Sequence, residues 1–461
     1  MKHPGGHIKI ILAVLLSCRA YGLLLAQPVI PGEHNYAINA PGVAMVQTVF
    51  SATVYVNKVE ISQRRFNQLV DSVQRLDMTR NLLSAEQKLD IVVKALYNNP
   101  LRYFAATTQY LSQQHRIVSN GTGFFITGDG YFVTNCHIID RDSAFIRQKF
   151  ILSTFREVAD ANIRSLESSW AMTLTDEQRS LLYNSYSLIY SQLSSMILFD
   201  LQKDIFIIYR ADNGPNQPFK IKKPAKVVVK GKAMPGKDVA ILKLDDVRDM
   251  PTLPVSRDSI IRIGEKILVY GYPEPATSNI FLAEESNTEP TLTAGVVSAI
   301  KRSIGGWPVV QMDAMISHGS SGSPVCNDRG EVIGLATFGS LEQATGGLAS
   351  GYNFAIPVIV MKEFIDSAKV KSHLSRSSLL YNEGLRYFYQ SYYKKALKRF
   401  EDVKKVNSNY PMLNYYITLC TQRVEAGEDR SSFLQKNFFR VISIILVIGG
   451  IYLYYGWKRG W

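Results

Sequence analysis

Four serines, two glycines and a histidine lie within fifteen residues, DAMISHGSSGSPVCN at 313–327. Glycine and serine together are typical of loops. A catalytic serine also needs a general base, a carboxylate that orients the base, and backbone N–H groups directed at the developing oxyanion. Ser321 is the candidate nucleophile, because Gly319 and Gly322 flank it and permit a sharp turn that directs the Gly319 and Ser321 amides to one point. The segment is therefore either a flexible loop or an acyl-transfer site.

A histidine and an aspartate elsewhere stand in contexts that suit this chemistry. His137 ends an apolar strand after a hairpin turn in GDGYFVTNCHIID, and Asp238 opens the strand in GKDVAILKLD. Taken singly, each residue is more often structural than catalytic. Their order along the chain, histidine, aspartate and then serine, is that of the chymotrypsin-type triad. The three together therefore predict a serine hydrolase site.

The elements around these residues are short strands interrupted by helical segments. Strand patterns lie at 41–56, at 121–136 and from about 205 to 360. Helical periodicity covers about 60–115 and about 142–203, and each contains a capping box, SAEQ at 84–87 and TDEQ at 175–178. We therefore expect a mainly β core with two helical insertions.

A different helical pattern follows at 376–427. Gly384, Tyr387, Ala396 and Phe400 have the spacing of a tetratricopeptide repeat, a helical hairpin of about 34 residues. One repeat and half of a second are visible, whereas about three normally make a self-supporting stack. The hairpin must then pack on the β core, on a partner or on a second copy. The alternative is an ordinary amphipathic hairpin that separates the core from a membrane.

Both ends of the chain carry apolar segments. Residues 1–26 have the basic start, apolar stretch and small residues of a secretory signal peptide, cleaved after Gly22 or after Ala26. A lipidated Cys18 is a weaker alternative. Residues 438–457 have aromatic ends and a basic tail, which predicts one transmembrane helix. We expect an exported, membrane-anchored protein, periplasmic or otherwise extracytoplasmic, with its C-terminus in the cytoplasm.

Composition excludes several other classes. The net charge of +13 is spread along the chain without a nucleic-acid-binding motif, so no nucleic-acid partner is expected. The four cysteines lack metal-type spacing, and we expect neither a metal nor a cofactor. Cys18 is expected to leave with the signal peptide. The remaining odd number argues against a disulfide framework, and a single bond between Cys136 and Cys326 stays open.

The motifs resemble those of the trypsin-like peptidases of the HtrA/Deg group. DGYFVTNCHII is similar to the histidine strand of that family, DVAILKL to its aspartate strand and MDAMISHGSSGSPV to its serine loop. The resemblance covers about 117–360 and a strand near 43–57. It implies two six-stranded antiparallel barrels, a chymotrypsin-like fold within a peptidase domain at 40–365, and an active site in the cleft between the barrels.

The resemblance also implies a role for each residue. Ser321 would be the nucleophile, His137 the general base and Asp238 the orienting carboxylate. The Gly319 and Ser321 amides would form the oxyanion hole. The primary specificity pocket would be lined by Thr337, Phe338 and Gly339, with Met315 or Ile316 at its base. Because neither residue at the bottom of this pocket is acidic, the resemblance predicts cleavage after small or medium aliphatic residues. His318 is expected to be a loop residue.

Three features depart from the family pattern. Ser323 stands where the family usually has glycine, a long insertion separates His137 from Asp238, and the hairpin replaces a PDZ domain. The sequence therefore predicts a membrane-anchored serine endopeptidase acting on polypeptides, with envelope quality control as a family-level expectation. Two alternatives stay open: a protease fold used as a binding scaffold, and a zymogen-like enzyme activated by a protein partner at the insertions or the hairpin.

Overall fold

The computed structural model describes most of the 461-residue chain. The described residues are 31–80, 83–193, 196–214, 218–277, 281–282, 287–341, 348–431, 445, 448–449, 452 and 455–456. They form two compact units. The first unit comprises the described residues up to 47, residues 120–139 and the residues from 205 onward, and the second comprises 48–119 and 140–204.

Six strands close the first barrel in the order β1-β2-β3-β6-β5-β4. They are β1 (Val43–Ile61), β2 (Phe104–Phe125), β3 (Tyr131–Thr134), β4 (Met196–Asp212), β5 (Pro218–Lys230) and β6 (Ala240–Leu244). The predicted GDG hairpin turn is confirmed, since β2 and β3 on either side of it pair antiparallel. Alternate residues of β3 and β6 enter two different apolar clusters. Burial on both faces explains the nearly continuous apolar run AILKL.

A second six-stranded barrel closes in the order β10-β11-β12-β9-β8-β7. Its strands are β7 (Lys266–Gly271), β8 (Thr291–Arg302), β9 (Pro308–Met312), β10 (Pro324–Cys326), β11 (Val332–Leu341) and β12 (Leu348–Pro357). Val325 of β10 lies opposite Val269 of β7, which completes the closure. The expectation of two six-stranded barrels is therefore confirmed, although helices hold at least as many of the described residues as the strands do.

Helices connect and flank the strands. In chain order they are α1 (Pro31–Asn39), α2 (Gln63–Arg80), α3 (Ala85–Asn98), α4 (Pro100–Tyr103), α5 (Cys136–Ile139), α6 (Ser143–Trp170), α7 (Asp176–Gln192), α8 (Glu274–Thr277), α9 (Val358–Ser367), α10 (Arg376–Tyr389), α11 (Tyr393–Val406) and α12 (Leu413–Glu425). Both predicted capping boxes form, at the starts of α3 and α7. The second unit has its own core, in which Val93, Leu96, Leu182 and Ile189 are fully buried.

The helical segments are shorter than the sequence indicates. The first ends at Tyr103 and not near 115, because β2 begins at Phe104. The second gives way to strand at Met196 and not at 203. Residues 111–118 alternate between half-buried and exposed positions, as a strand does. Their many polar side chains conceal this period in the sequence, because a largely exposed strand lacks the apolar alternation that predicts strands.

The C-terminal hairpin is present, and α12 extends it to three helices. Ala396 and Phe400 of α11 are fully buried, and Gly384 of α10 lies against Phe400. A Cβ atom at position 384 would come within 2.5 Å of Cε1 of Phe400. The small residue at 384 therefore allows α10 and α11 to pack closely. The same core includes Ala37 of α1.

The hairpin packs on the β core, which is one of the three placements that the sequence left open. Ser377 donates its backbone N–H to Asp249 Oδ1 at 2.8 Å and its hydroxyl to the Asp249 carbonyl at 2.9 Å. Ser378 Oγ accepts the Thr252 N–H at 2.9 Å. Ser375 donates its N–H to Thr252 Oγ1 at 2.8 Å. Buried hydroxyls therefore join the start of α10 to the segment that follows β6.

Both predicted membrane-related segments lie largely or wholly outside the described residues. The signal peptide at 1–26 is entirely outside, and so is most of 438–457. Among the helices of the described residues, none combines the length and apolar character that crossing a bilayer requires.

Candidate active site

Strand pairing in the first barrel brings His137 and Asp238 together. Thr134 at the end of β3 lies opposite Ala240 at the start of β6, so the residues just beyond each strand become neighbours. The expectation that His137 ends the strand is wrong, because β3 ends at Thr134 and His137 lies in the single-turn helix α5 that follows. Its backbone N–H donates to Asp238 Oδ1 at 2.8 Å, and its Nδ1 lies 2.6 Å from Asp238 Oδ2. The backbone and the ring of His137 therefore both contact one carboxylate.

The environment of Asp238 fixes the tautomer of the imidazole. Its side chain is completely buried, whereas that of His137 is 25% exposed. A carboxylate only accepts hydrogen bonds, so Nδ1 carries the hydrogen and Nε2 of the neutral ring has a free lone pair. Asn135 holds the same segment by donating Nδ2–H to the Asp238 carbonyl at 2.8 Å. The histidine is thus oriented to accept a proton at Nε2.

Thr337 links this pair to Ser321. On β11, its hydroxyl donates to Asp238 Oδ2 at 2.8 Å, and its carbonyl accepts the hydroxyl of Ser321 at 3.0 Å. Asp238 comes from the segment before β6 and Ser321 from the loop between β9 and β10. Hydrogen bonds through Thr337 therefore bring the three predicted triad residues into one cluster. The sequence assigned Thr337 to the substrate pocket and gave no sign of its bond to Asp238.

Two glycines shape the loop that carries Ser321. Gly319 has φ +90° and Gly322 has φ +85°, in the region that favours glycine. A Cβ atom at Gly322 would lie 1.9 Å from the Thr122 carbonyl oxygen. Thr122 also donates its N–H to the Ser321 carbonyl at 2.8 Å. The end of β2 therefore approaches this loop so closely that a side chain at position 322 is excluded.

The predicted oxyanion-hole N–H groups belong to the His318–Gly319 and Ser320–Ser321 peptide groups, and hydrogen bonds to the carbonyls of these two groups fix their orientation. The His318 carbonyl accepts the Glu274 N–H at 2.6 Å, and the Ser320 carbonyl accepts the Ser323 N–H at 3.0 Å. In a trans peptide the N–H points away from the C=O. The Gly319 and Ser321 N–H groups consequently point away from these contacts, and neither has an acceptor among the described residues.

The predicted pocket residues are not all placed alike. Ile316 is buried in the core of the second barrel, whereas Met315 is 70% exposed. Thr337 is buried, and the backbones of Phe338 and Gly339 pair with β12. His318 is exposed, as expected of a loop residue. Of the two candidates for the pocket base, the structure therefore buries only Ile316.

Sequence reasoning missed Thr122. Its hydroxyl donates to the Gly319 carbonyl at 2.7 Å and accepts the Tyr272 N–H at 2.9 Å. The available signal is the sequence GTG at 121–123, a threonine between two glycines at a strand end. That signal is weak, because it does not indicate which distant loop the threonine contacts.

The described cysteines carry no disulfide bond. Cys136, Cys326 and Cys420 are buried, and the bond between Cys136 and Cys326 that the sequence left open does not form. Burial raises the pKa of the Cys326 thiol, which keeps it protonated. Among the described residues, no three His, Cys, Asp or Glu side chains are grouped so that they would hold a metal ion.

Comparison with known proteins gives the class of protein first. The family model of the trypsin-like peptidase domain matches residues 202–335, a range that contains Asp238 and Ser321. Together with the two barrels, this match makes the chain similar to trypsin-like serine peptidases. The particular relatives are of the HtrA/Deg type, and the matches support a serine endopeptidase.

A probable periplasmic serine endoprotease, DegP-like, of Rhizobium meliloti is 27% identical over 264 residues, covering 57% of this chain and 35% of the relative. The serine endoprotease DegS of Escherichia coli is 31% identical over 134 residues, covering 28% and 34%. Serine protease HTR4 of Rattus norvegicus is 31% identical over 137 residues, covering 28% and 24%. The chain thus spans about a third or less of the length of these relatives.

Proposed function

We propose that this protein is a serine endopeptidase that hydrolyses polypeptides through an acyl-enzyme. Ser321 Oγ attacks the scissile carbonyl, and His137 Nε2 takes the hydroxyl proton and later gives it to the leaving amine. Asp238 holds the imidazole and stabilises its charged form. The Gly319 and Ser321 amides donate to the oxyanion. The observation that carries the proposal is the hydrogen-bonded cluster that joins His137, Asp238, Thr337 and Ser321.

One observation favours a partner-activated form of this enzyme. The Ser321 hydroxyl donates to the Thr337 carbonyl. Its proton is therefore directed at β11, whereas catalysis requires it to be directed at His137. Activation would require the hydroxyl to turn toward His137. A zymogen-like resting state with an assembled Asp238–His137 pair accounts for this geometry, and a binding scaffold without activity is the remaining alternative.

We further propose that the chain is anchored in a membrane by 438–457 and acts on exported proteins. The described positions Ile445, Ile448 and Tyr452 in this segment are helical, and each side chain is more than half exposed. Their spacing of three and four residues places them on one face of a helix, which suits contact with lipid. The name of one relative, a probable periplasmic serine endoprotease, supports action on exported proteins, and a role in envelope protein quality control is proposed from the family resemblance. Alkaline extraction of membranes should retain the full chain and release a variant that ends at residue 437.

The experiment that tests the chemistry is fluorophosphonate labelling of the full-length chain. Ser321→Ala removes the proposed nucleophile, and Ser320→Ala is the matched control because it removes the neighbouring hydroxyl. Labelling of the wild type and of Ser320→Ala, but not of Ser321→Ala, is expected. Labelling that survives in Ser321→Ala would overturn the assignment. A folded wild-type chain that is never labelled, with or without peptide substrates, would exclude the constitutively active enzyme and leave the partner-activated form and the scaffold.

A further inference from the structure

An ion-pair cluster outside the active site is centred on Arg210 of β4. Its side chain is 11% exposed, and Nε and Nη2 donate to the two oxygens of Asp212 at 2.8 and 3.2 Å. Nη1 donates to Glu289. Burial alone would lower the pKa of Arg210, but the two carboxylates outweigh it and raise the pKa above its ordinary value. The guanidinium therefore stays charged and joins two segments that are distant in sequence.

On one side, the cluster holds the helical hairpin. Asp212 Oδ2 accepts the N–H of Met412, the residue before α12, at 2.6 Å. The Asp212 N–H donates to the Asn409 carbonyl at 3.3 Å. The Asp212 side chain is only 4% exposed. The end of β4 is therefore tied by buried contacts to the connection between α11 and α12.

On the other side, hydrogen bonds connect the cluster to the loop between β9 and β10 that carries Ser321. Glu289 follows Thr288, whose carbonyl accepts the hydroxyl of Tyr272 at 3.2 Å. Tyr272 is buried, and burial raises its pKa, so the hydroxyl remains a donor. Its own N–H donates to Thr122 Oγ1, which in turn donates to the Gly319 carbonyl.

Glu274, two residues after Tyr272, contacts the peptide group of the proposed oxyanion hole directly. The Glu274 N–H donates to the His318 carbonyl at 2.6 Å. This bond orients the peptide group whose N–H belongs to Gly319. A Cβ atom at Gly319 would lie 2.3 Å from the Tyr272 carbonyl oxygen, so the two segments are in close contact.

We propose that Arg210 is a positioning residue for the oxyanion hole. It couples the hole, through Glu289, Tyr272 and Glu274, to the place where Asp212 contacts the helical hairpin. The inference rests on the proposed function, because the hole matters only to an acyl-transfer enzyme. A displacement of the hairpin breaks the bond from Met412 to Asp212 and frees the Asp212 side chain to move. Arg210 is then no longer held by Asp212 in the position from which it donates to Glu289. The His318–Gly319 peptide group loses its orientation as a consequence. A protein partner that binds the hairpin would act on the active site by this route.

The test uses full-length variants that break the link away from the triad. Glu289→Ala removes the acceptor of Arg210 Nη1, and Tyr272→Phe removes the hydroxyl that contacts the Thr288 carbonyl at 3.2 Å and the Val43 carbonyl at 3.5 Å. Asp245→Ala is the matched control, because its carboxylate is 51% exposed, close to the 48% of Glu289, and is paired with Lys226. Two quantities are measured below the melting temperature of every variant: the rate of fluorophosphonate labelling, and hydrogen exchange of the Ser320, Gly322 and Ser323 amides.

Glu289→Ala and Tyr272→Phe should each slow labelling by about tenfold, less than the loss of a whole oxyanion donor, and should speed exchange of the three amides. The double variant should be no slower than the slower single variant, because both substitutions break one route. Effects equal to those of Asp245→Ala, or effects of the two substitutions that multiply, would overturn the inference. If the wild type is never labelled, the constitutively active enzyme fails, but the exchange measurement still decides whether Arg210 positions this loop.

Discussion

Ser321 and Thr337 are joined by a hydrogen bond of 3.0 Å from the serine hydroxyl to the threonine carbonyl. A substrate that adds to β11 as an extra strand would use main-chain carbonyls of that strand as acceptors. If the Thr337 carbonyl is one of these acceptors, the bond from Ser321 and the bond from a substrate meet at one oxygen atom, which can accept both. A second donor at this oxygen would weaken the bond from Ser321 and favour rotation of the hydroxyl toward His137.

The Thr337 side chain has a role that a substitution can separate from this carbonyl. Thr337→Val removes the hydroxyl donor to the buried Asp238 carboxylate but keeps the shape of the side chain and the backbone. Loss of a hydrogen bond to a charged group is worth about 1.5–3 kcal/mol, so labelling of Ser321 should slow roughly ten- to a hundredfold. Thr337→Ser keeps the donor and should label nearly as fast as the wild type. Equal rates for the valine and serine variants would contradict the role.

Ser323 and Gly271 fit together by size. Ser323 is fully buried, and a Cβ atom at Gly271 would lie 2.2 Å from its Oγ. Gly271→Ala should therefore destabilise the protein by about 1–3 kcal/mol. Adding Ser323→Gly should recover much of that loss, because it removes the obstructing hydroxymethyl group. Urea unfolding of the wild type, both single variants and the double variant measures this coupling, and purely additive effects would show that the two sites are independent.

Gly384 in α10 presents two opposing effects. Alanine is favoured over glycine within a helix by about 1 kcal/mol. The new Cβ would, however, lie 2.5 and 2.8 Å from Cε1 and Cδ1 of Phe400, and overpacking costs about 1–3 kcal/mol. We expect steric strain to prevail, so that Gly384→Ala lowers the thermal unfolding midpoint. Adding Phe400→Leu to Gly384→Ala tests the cause, since relief of the clash should reduce the loss. A higher midpoint for Gly384→Ala alone would refute the prediction.

Glu331 should make stability depend on pH. The Asn327 amide, at 3.0 Å, and then Arg329 lower the pKa of its carboxyl in the folded protein. A lowered pKa means that the charged form contributes stability above the pKa of the unfolded chain, and that this contribution is lost as the pH falls through the folded pKa. The stability difference between the wild type and Glu331→Gln should thus shrink from about pH 6 to about pH 3. Urea midpoints at both values measure it, and a constant difference would exclude this carboxyl as the cause.

Local patterns predicted the fold well where the determining contacts are local. The capping boxes at Ser84 and Thr175 involve residues three apart, so the sequence contains the whole interaction. The bond from Thr337 to Asp238 joins residues 99 apart, and that from Thr122 to Gly319 joins residues 197 apart. No local pattern records such pairs. The order of His137, Asp238 and Ser321 was informative because a known family fixes how those distant positions meet.

The junction between α10 and the segment after β6 also bears on how this chain can evolve. Ser377, Ser378 and Thr252 are buried, and their polar groups are paired across this junction: Ser377 donates to Asp249, and Ser378 accepts the Thr252 N–H. Recombination that exchanged the hairpin for another module would leave polar groups at this surface without partners, which is costly. The hairpin and the barrel surface beneath it are therefore expected to be inherited as one piece, although the sequence shows a clear boundary between them.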